Sequence, residues 1–203
     1  MFQNITPITK NIIILNVIVY ILAMLIPQSY QYLAAFFPTS PYFKSWQIIT
    51  HMFMHGGFMH IAFNMLTFAS FGPVLERFLG GKKFVILYFL SGLGAFVLFN
   101  LWEYYQLYQD AQPLIVEGLQ FSDILKGDFG KFPVRLEGNA QNIVNILSTP
   151  MVGASGAIFG VIAAFSLLYP NAEMFIMFIP FPIKAKVLFP ISIIVSLYLG
   201  FSG

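Results

Sequence analysis

Residues 151–160 read MVGASGAIFG, which sets Ser155 between glycines at the head of an apolar helix. Nearer the N-terminus, residues 55–64 read HGGFMHIAFN, so that His60 and Asn64 are polar intruders on a second apolar helix. Polar side chains in hydrocarbon are costly, and those that persist there mark function. Peptide hydrolysis by a serine needs a base to take the hydroxyl proton and donors to hold the tetrahedral oxyanion. The first turn of a helix supplies unpaired backbone N–H groups and the positive end of its dipole, which suits an anion beside Ser155. His60 and Asn64 are four residues apart and share a helix face, from which both can donate to the same point. Gly153, Gly156 and Gly160 remove side-chain bulk and let neighbouring helices approach, Gly156 and Gly160 in a GxxxG spacing.

Each piece has an ordinary reading when taken alone. Gly-Ala-Ser-Gly-Ala is common on helix-packing surfaces, a lone histidine is often a satisfied interhelical residue, and an asparagine can be polar glue between helices. His51, His55 and His60 suggest a metal site, but no cysteine or nearby carboxylate completes a ligand set. The combination is what argues for chemistry.

The elements that must position these residues lie in a membrane. The chain is 58% hydrophobic and 9% charged, against roughly 25% charged in an ordinary soluble domain. A formal charge of +2 gives no footing for nucleic acid, and the absence of cysteine rules out disulfides and thiolate chemistry. The first apolar run is followed by Pro27 and Gln28 rather than a small-x-small cleavage site, so it reads as a retained helix. Five apolar segments emerge, near 11–26, 58–75, 84–101, 151–169 and 185–200. The apolar stretch 174–182 is short and bracketed by Pro180 and Pro182, and reads as an interfacial loop. At about 1.5 Å per residue, Asn64 lies roughly 18 Å and His60 roughly 24 Å above one membrane edge, counted back from Glu76. Counted independently from Tyr169, Ser155 lies roughly 21 Å above the same edge. The three fall at one depth.

Lys10, Arg77, Lys82, Lys83, Lys184 and Lys186 all fall on one side of this arrangement, which places the N-terminus in the cytoplasm. Residues 102–150 form a long polar extracytoplasmic loop carrying six acids from Glu103 to Glu137. Its Gly127, Gly130, Pro133 and Gly138 argue against one continuous helix. With no repeat or low-complexity tract, residues 1–203 read as a single all-α polytopic membrane domain.

These motifs resemble the rhomboid family of intramembrane serine proteases, over essentially the whole chain. Trp46-Gln47 looks like that family's first-loop Trp-Arg element with glutamine for arginine, and Glu76-Arg77 resembles its Glu- and Arg-containing cytoplasmic turn. The resemblance implies a helical bundle in which Ser155 is the nucleophile and His60 and Asn64 are oxyanion partners. It further implies that His55 is structural and that Phe159, one turn after the serine, packs against the catalytic histidine. That histidine belongs to a sixth helix in the family. These 203 residues hold five predicted spans and no histidine after Ser155. Two explanations stand: a chain cut short after its fifth helix, which we favour, or a naturally inactive five-helix relative. On either, the 203 residues as they stand are expected to cleave nothing.

The expectation is therefore a multi-pass protein of the bacterial cytoplasmic membrane, acting on transmembrane protein substrates in the lipid bilayer, with no metal or organic cofactor and no nucleic-acid partner. Its rivals are a non-catalytic rhomboid-like protein that binds membrane segments, and a small channel or transporter. The second wants an ionisable residue at the midplane of a span, which the five segments do not clearly offer.

Overall fold

A computed structural model describes residues 5–128, 130, 138–174 and 182–202. Among these residues the helices are α1 (Pro7–Leu25), α2 (Ser29–Leu33), α3 (Gln47–Thr50), α4 (Phe58–Leu79), α5 (Gly81–Val116), α6 (Phe121–Leu125), α7 (Asn139–Ser148), α8 (Ser155–Leu168) and α9 (Ala185–Ser202). Strand β1 (Glu173–Met174) pairs antiparallel with β2 (Ile183–Lys184). Helices α1, α4 and α5 are long and apolar enough to cross a membrane, while α8 and α9 are shorter apolar helices. All five begin or end within a few residues of the expected segments, except at one place. The stretch expected as an interfacial loop, 174–182, lies almost entirely outside the described residues.

The exception is α5, which continues to Val116 where a loop was expected from about 102. Its 36 residues extend about 54 Å, far more than the roughly 20 residues that cross a bilayer. The physical reason is a second core outside the span. Leu107, Ala111 and Leu114 recur at helical spacing on α5 and are buried with Ile124, Ile143, Leu147 and Phe37. Of the residues expected to interrupt the segment, Gly127 and Gly138 take positive φ, as does Gly118, which was not among them, and α6 and α7 lie between and after these three.

Within the main bundle α8 is the central element, packed against α4, α5 and α9. Gly156 faces Ala95 and Gly160 faces Ser91, each so closely that an added Cβ would collide, which is what brings α8 and α5 together. Parallel helices α4 and α8 are held in register by Phe71 on Phe165, ring centroids 5.0 Å apart, and Phe78 on Tyr169 at 6.1 Å. A single residue, Gly80 with φ +76°, turns α4 into α5.

The N-terminus of α1 has no side-chain cap of its own. Its amides are met by Glu76, near the end of α4. That carboxylate accepts from Ile8 N (3.0 Å), Thr9 N (2.8 Å), Thr9 Oγ1 (2.8 Å) and Thr6 Oγ1 (2.5 Å). An anion at a helix N-terminus satisfies orphan donors and the dipole together.

Candidate active site

Ser155 is the first residue of α8 and half-buried. The chain leading to it is fixed at two points by the segment between α1 and α4. Met151 and Ala35 exchange both backbone hydrogen bonds (2.8 and 3.0 Å), and Gly153 N donates to the His51 carbonyl at 2.9 Å. That segment is itself stapled from inside by Gln47. Its Oε1 accepts from Lys44 N at 3.0 Å, and its Nε2 donates to the carbonyls of Gln31 (3.0 Å) and Tyr42 (3.3 Å). Trp46 Nε1 adds a bond to the Tyr32 carbonyl at 2.8 Å. The glutamine standing where the resemblance has arginine is thus a buried loop organiser.

His60 and Asn64, one turn apart on α4, close on the backbone just ahead of the serine. A Cβ placed on Gly153 would lie 2.8 Å from His60 Nε2 and 3.7 Å from Asn64 Nδ2. Gly153 also has φ +119°, a conformation that side-chain-bearing residues rarely adopt. Its role therefore differs from the expectation. Gly156 and Gly160 make room for a neighbouring helix, whereas Gly153 makes room for the two polar side chains and for a left-handed turn. The sequence signal was only a glycine two residues before the serine, which also fits helix packing.

The polar groups here are unevenly satisfied. Asn64 Nδ2 is buried without a partner. His55 lies edge-on to His60, ring centroids 5.0 Å apart, and directs Nδ1 towards the Phe53 carbonyl at 3.3 Å, leaving Nε2 buried and unpartnered. Burial, and then the neighbouring His60, push the His55 pKa down to about 4 against the pull of the Phe53 carbonyl, so that His55 is a neutral imidazole. His51 is buried too, with Nδ1 2.8 Å from the Gln47 carbonyl, and burial lowers its pKa as well. Phe159 sits one turn below Ser155, half-buried, with no ring packed on it among the described residues.

The structure therefore brings His55, His60, Asn64, Gly153 and Ser155 into one neighbourhood, with Gly156 anchoring it to α5. No grouping of three or more histidine, cysteine or carboxylate side chains suited to a metal occurs among the described residues. What the arrangement offers is a hydroxyl at a helix N-terminus with neutral nitrogen donors beside it, the parts list for stabilising an oxyanion.

Comparison with known proteins agrees with the motifs. The family model described as the rhomboid domain matches residues 42–203. Among curated proteins, "Rhomboid protein 1, mitochondrial" of Saccharomyces cerevisiae is 32% identical over 146 residues, covering 72% of this chain and 32% of that one. The "Rhomboid protease GlpG" of Salmonella choleraesuis is 35% identical over 89 residues, 43% of this chain and 32% of its own. The "Putative rhomboid protease YdcA" of Bacillus subtilis is 42% identical over 48 residues, 24% of each chain. The matched stretches span about a third or less of each of these relatives.

Proposed function

Because the chain belongs to the rhomboid family, we propose that it is an intramembrane serine endopeptidase with Ser155 as nucleophile. One observation carries the reading: His60 and Asn64 converge on the backbone two residues ahead of a serine at a helix N-terminus, and Asn64 Nδ2 is buried with no partner among the described residues. In this reading a transmembrane substrate unwinds locally beside α8, and Ser155 Oγ attacks the scissile carbonyl carbon. The resulting oxyanion accepts from His60, Asn64 and the first-turn amides of α8. The hydroxyl proton passes to a base and from there to the leaving amine. A water molecule then attacks the acyl-enzyme, which releases the second product and restores Ser155.

The reading uses His60 as an oxyanion donor, His55 is held neutral and buried, and all three histidines precede Ser155. The reading accordingly assigns the base to a histidine on a further helix outside residues 1–203. Lys10, Arg77, Lys82, Lys83, Lys184 and Lys186 face the cytoplasm, in a bacterial cytoplasmic membrane, and Ser155 opens towards the opposite side. Its substrates are single membrane segments of other proteins.

The test is labelling of the natively expressed protein, in detergent, with a fluorescent fluorophosphonate. The expected result is one labelled serine, lost in Ser155→Ala, with intact mass showing a histidine-bearing segment after residue 203. Equal labelling of both proteins overturns the nucleophile assignment. No labelling of a protein confirmed intact by mass favours a non-catalytic relative that binds membrane segments.

A further inference from the structure

One face of α5 runs without a break from the active-site neighbourhood into water. Ser91 and Ala95 meet Gly160 and Gly156 of α8. Phe99, Glu103, Gln106 and Asp110 continue the same stripe at spacings of three and four residues. These four form one wall of a cleft of about 370 Å³, and Asn142 and Asn145 of α7 stand opposite. Its membrane-side end is formed by Thr149 and Pro150, on the chain that leads directly to Ser155. Counted from Gly81 at about 1.5 Å per residue, Phe99 lies some 27 Å along α5, so the cleft begins near the outer edge of a hydrocarbon layer roughly 30 Å thick.

The chemistry of the lining is one-sided. Among the described residues it holds two carboxylates, three carboxamides and no lysine or arginine. Asp110 makes only a long contact with Asn142 (3.5 Å), and Glu103 has no hydrogen bond or ion pair among the described residues. The two carboxylates are seven residues apart, about 10 Å along the helix, which is close to one three-residue turn of polyproline II chain, where residues three apart share a face. That spacing does not suit a single metal ion. It does suit two cationic side chains on an extended chain of polyproline II form. Gln106, Asn142 and Asn145 offer donors and acceptors matched to a peptide backbone, and Phe99 can cover the aliphatic stem of a lysine or arginine.

We propose that this cleft docks the substrate stretch just outside the membrane segment and selects an extended chain bearing lysine or arginine at positions three apart. The proposal rests on the protease reading for its occupant. It adds a second site, outside the bilayer and one chain segment away from Ser155, that holds the substrate while its membrane helix unwinds.

The experiment uses the full natively expressed protein in nanodiscs and a fluorescent single-span substrate. One version carries two lysines three apart in the five residues outside its apolar segment, and the other carries glutamates there. Binding is read by anisotropy with the Ser155→Ala variant, and cleavage is read separately with Ser155 present. Glu103→Lys is expected to weaken binding of the lysine substrate about tenfold and to raise KM with little change in kcat. The glutamate substrate should regain that loss on Glu103→Lys, which also shows that the variant is folded. Binding of the lysine substrate should fall as salt rises. If reversal leaves affinity and KM within twofold while Ser155-dependent cleavage persists, the docking site is wrong and the protease reading stands. If affinity follows the charge swap but nothing is cleaved, the docking site stands and the protease reading falls.

Discussion

The two ends of α4 bury polar groups in opposite ways. Near its C-terminal end Glu76 is fully engaged, its carboxylate accepting four hydrogen bonds from the start of α1. Near its N-terminal end Asn64 Nδ2 is buried with no acceptor, and His55 Nε2 just ahead of the helix has no donor. A buried polar group is ordinarily paired, because leaving it unpaired costs about 1–3 kcal/mol. Where every valence is used, the group holds the fold together. Where valences are left open beside Ser155, the proposed reading has them receive a guest. The same residue chemistry on one helix thus serves two ends, and the state of pairing separates them.

The sharpest way to break this contrast is to delete one group at the open end. Asn64→Ala should lower kcat by about 10²–10³-fold, the usual cost of losing an oxyanion donor, when Ser155-dependent cleavage is followed in the full protein. Its thermal midpoint in detergent should move by less than about 3 °C, since Nδ2 has no partner to lose. A large fall in stability with activity retained would make Asn64 a structural residue and erase the difference between the two ends.

That contrast was only half legible in the sequence. Ser155, His60 and Asn64 announce themselves because polar residues stand out in apolar helices, and helical rise alone puts them at one depth. Phe71 on Phe165 and Phe78 on Tyr169 supply the register which that estimate assumed. Pairing, by contrast, is a long-range property. Nothing local to Glu76 reveals that it meets residues 6–9, and nothing local to Gln47 reveals that it gathers the backbone of residues 31–44. The extension of α5 was hidden for a related reason. Residues 102–116 are polar enough to read as a loop, and only the partners of Leu107, Ala111 and Leu114 in α6 and α7 make a helix of them.

The closed end is tested by Glu76→Gln. An amide of the same shape keeps one acceptor, but it turns an NH₂ towards donors and removes the charge that the α1 N-terminus faces. Charge-assisted hydrogen bonds are individually worth about 1.5–3 kcal/mol, so a net loss of about 2–3 kcal/mol is expected. It should appear as a thermal midpoint lower by roughly 4–10 °C. Cleavage per folded molecule should stay within about threefold of wild type, because no part of the clasp approaches Ser155. Lost activity at full stability would mean that the clasp transmits to the site.

The smallest effect expected is a pH dependence located at the open end. His55 Nδ1–H donates to the Phe53 carbonyl, so a second proton would sit on Nε2, where no acceptor waits. Its pKa is accordingly about 4 in the fold, against about 6.5 in an unfolded chain. Between those values the unfolded state binds more protons than the folded one, so stability rises with pH across the window. The contribution is fully present above about pH 6.5, declines as pH falls towards 4, and changes no further below it. Between pH 6.5 and 5.5 the loss amounts to about 1 kcal/mol from this residue. His51, also lowered by burial, adds to it in the same sense. Thermal midpoints measured across that interval should therefore fall less steeply in His55→Gln than in wild type, while a variant at the closed end, Glu76→Gln, keeps the part of the slope that His55 supplies. Identical slopes in wild type and His55→Gln would mean that His55 finds an acceptor for its second proton, and the open end would be less open than its geometry indicates.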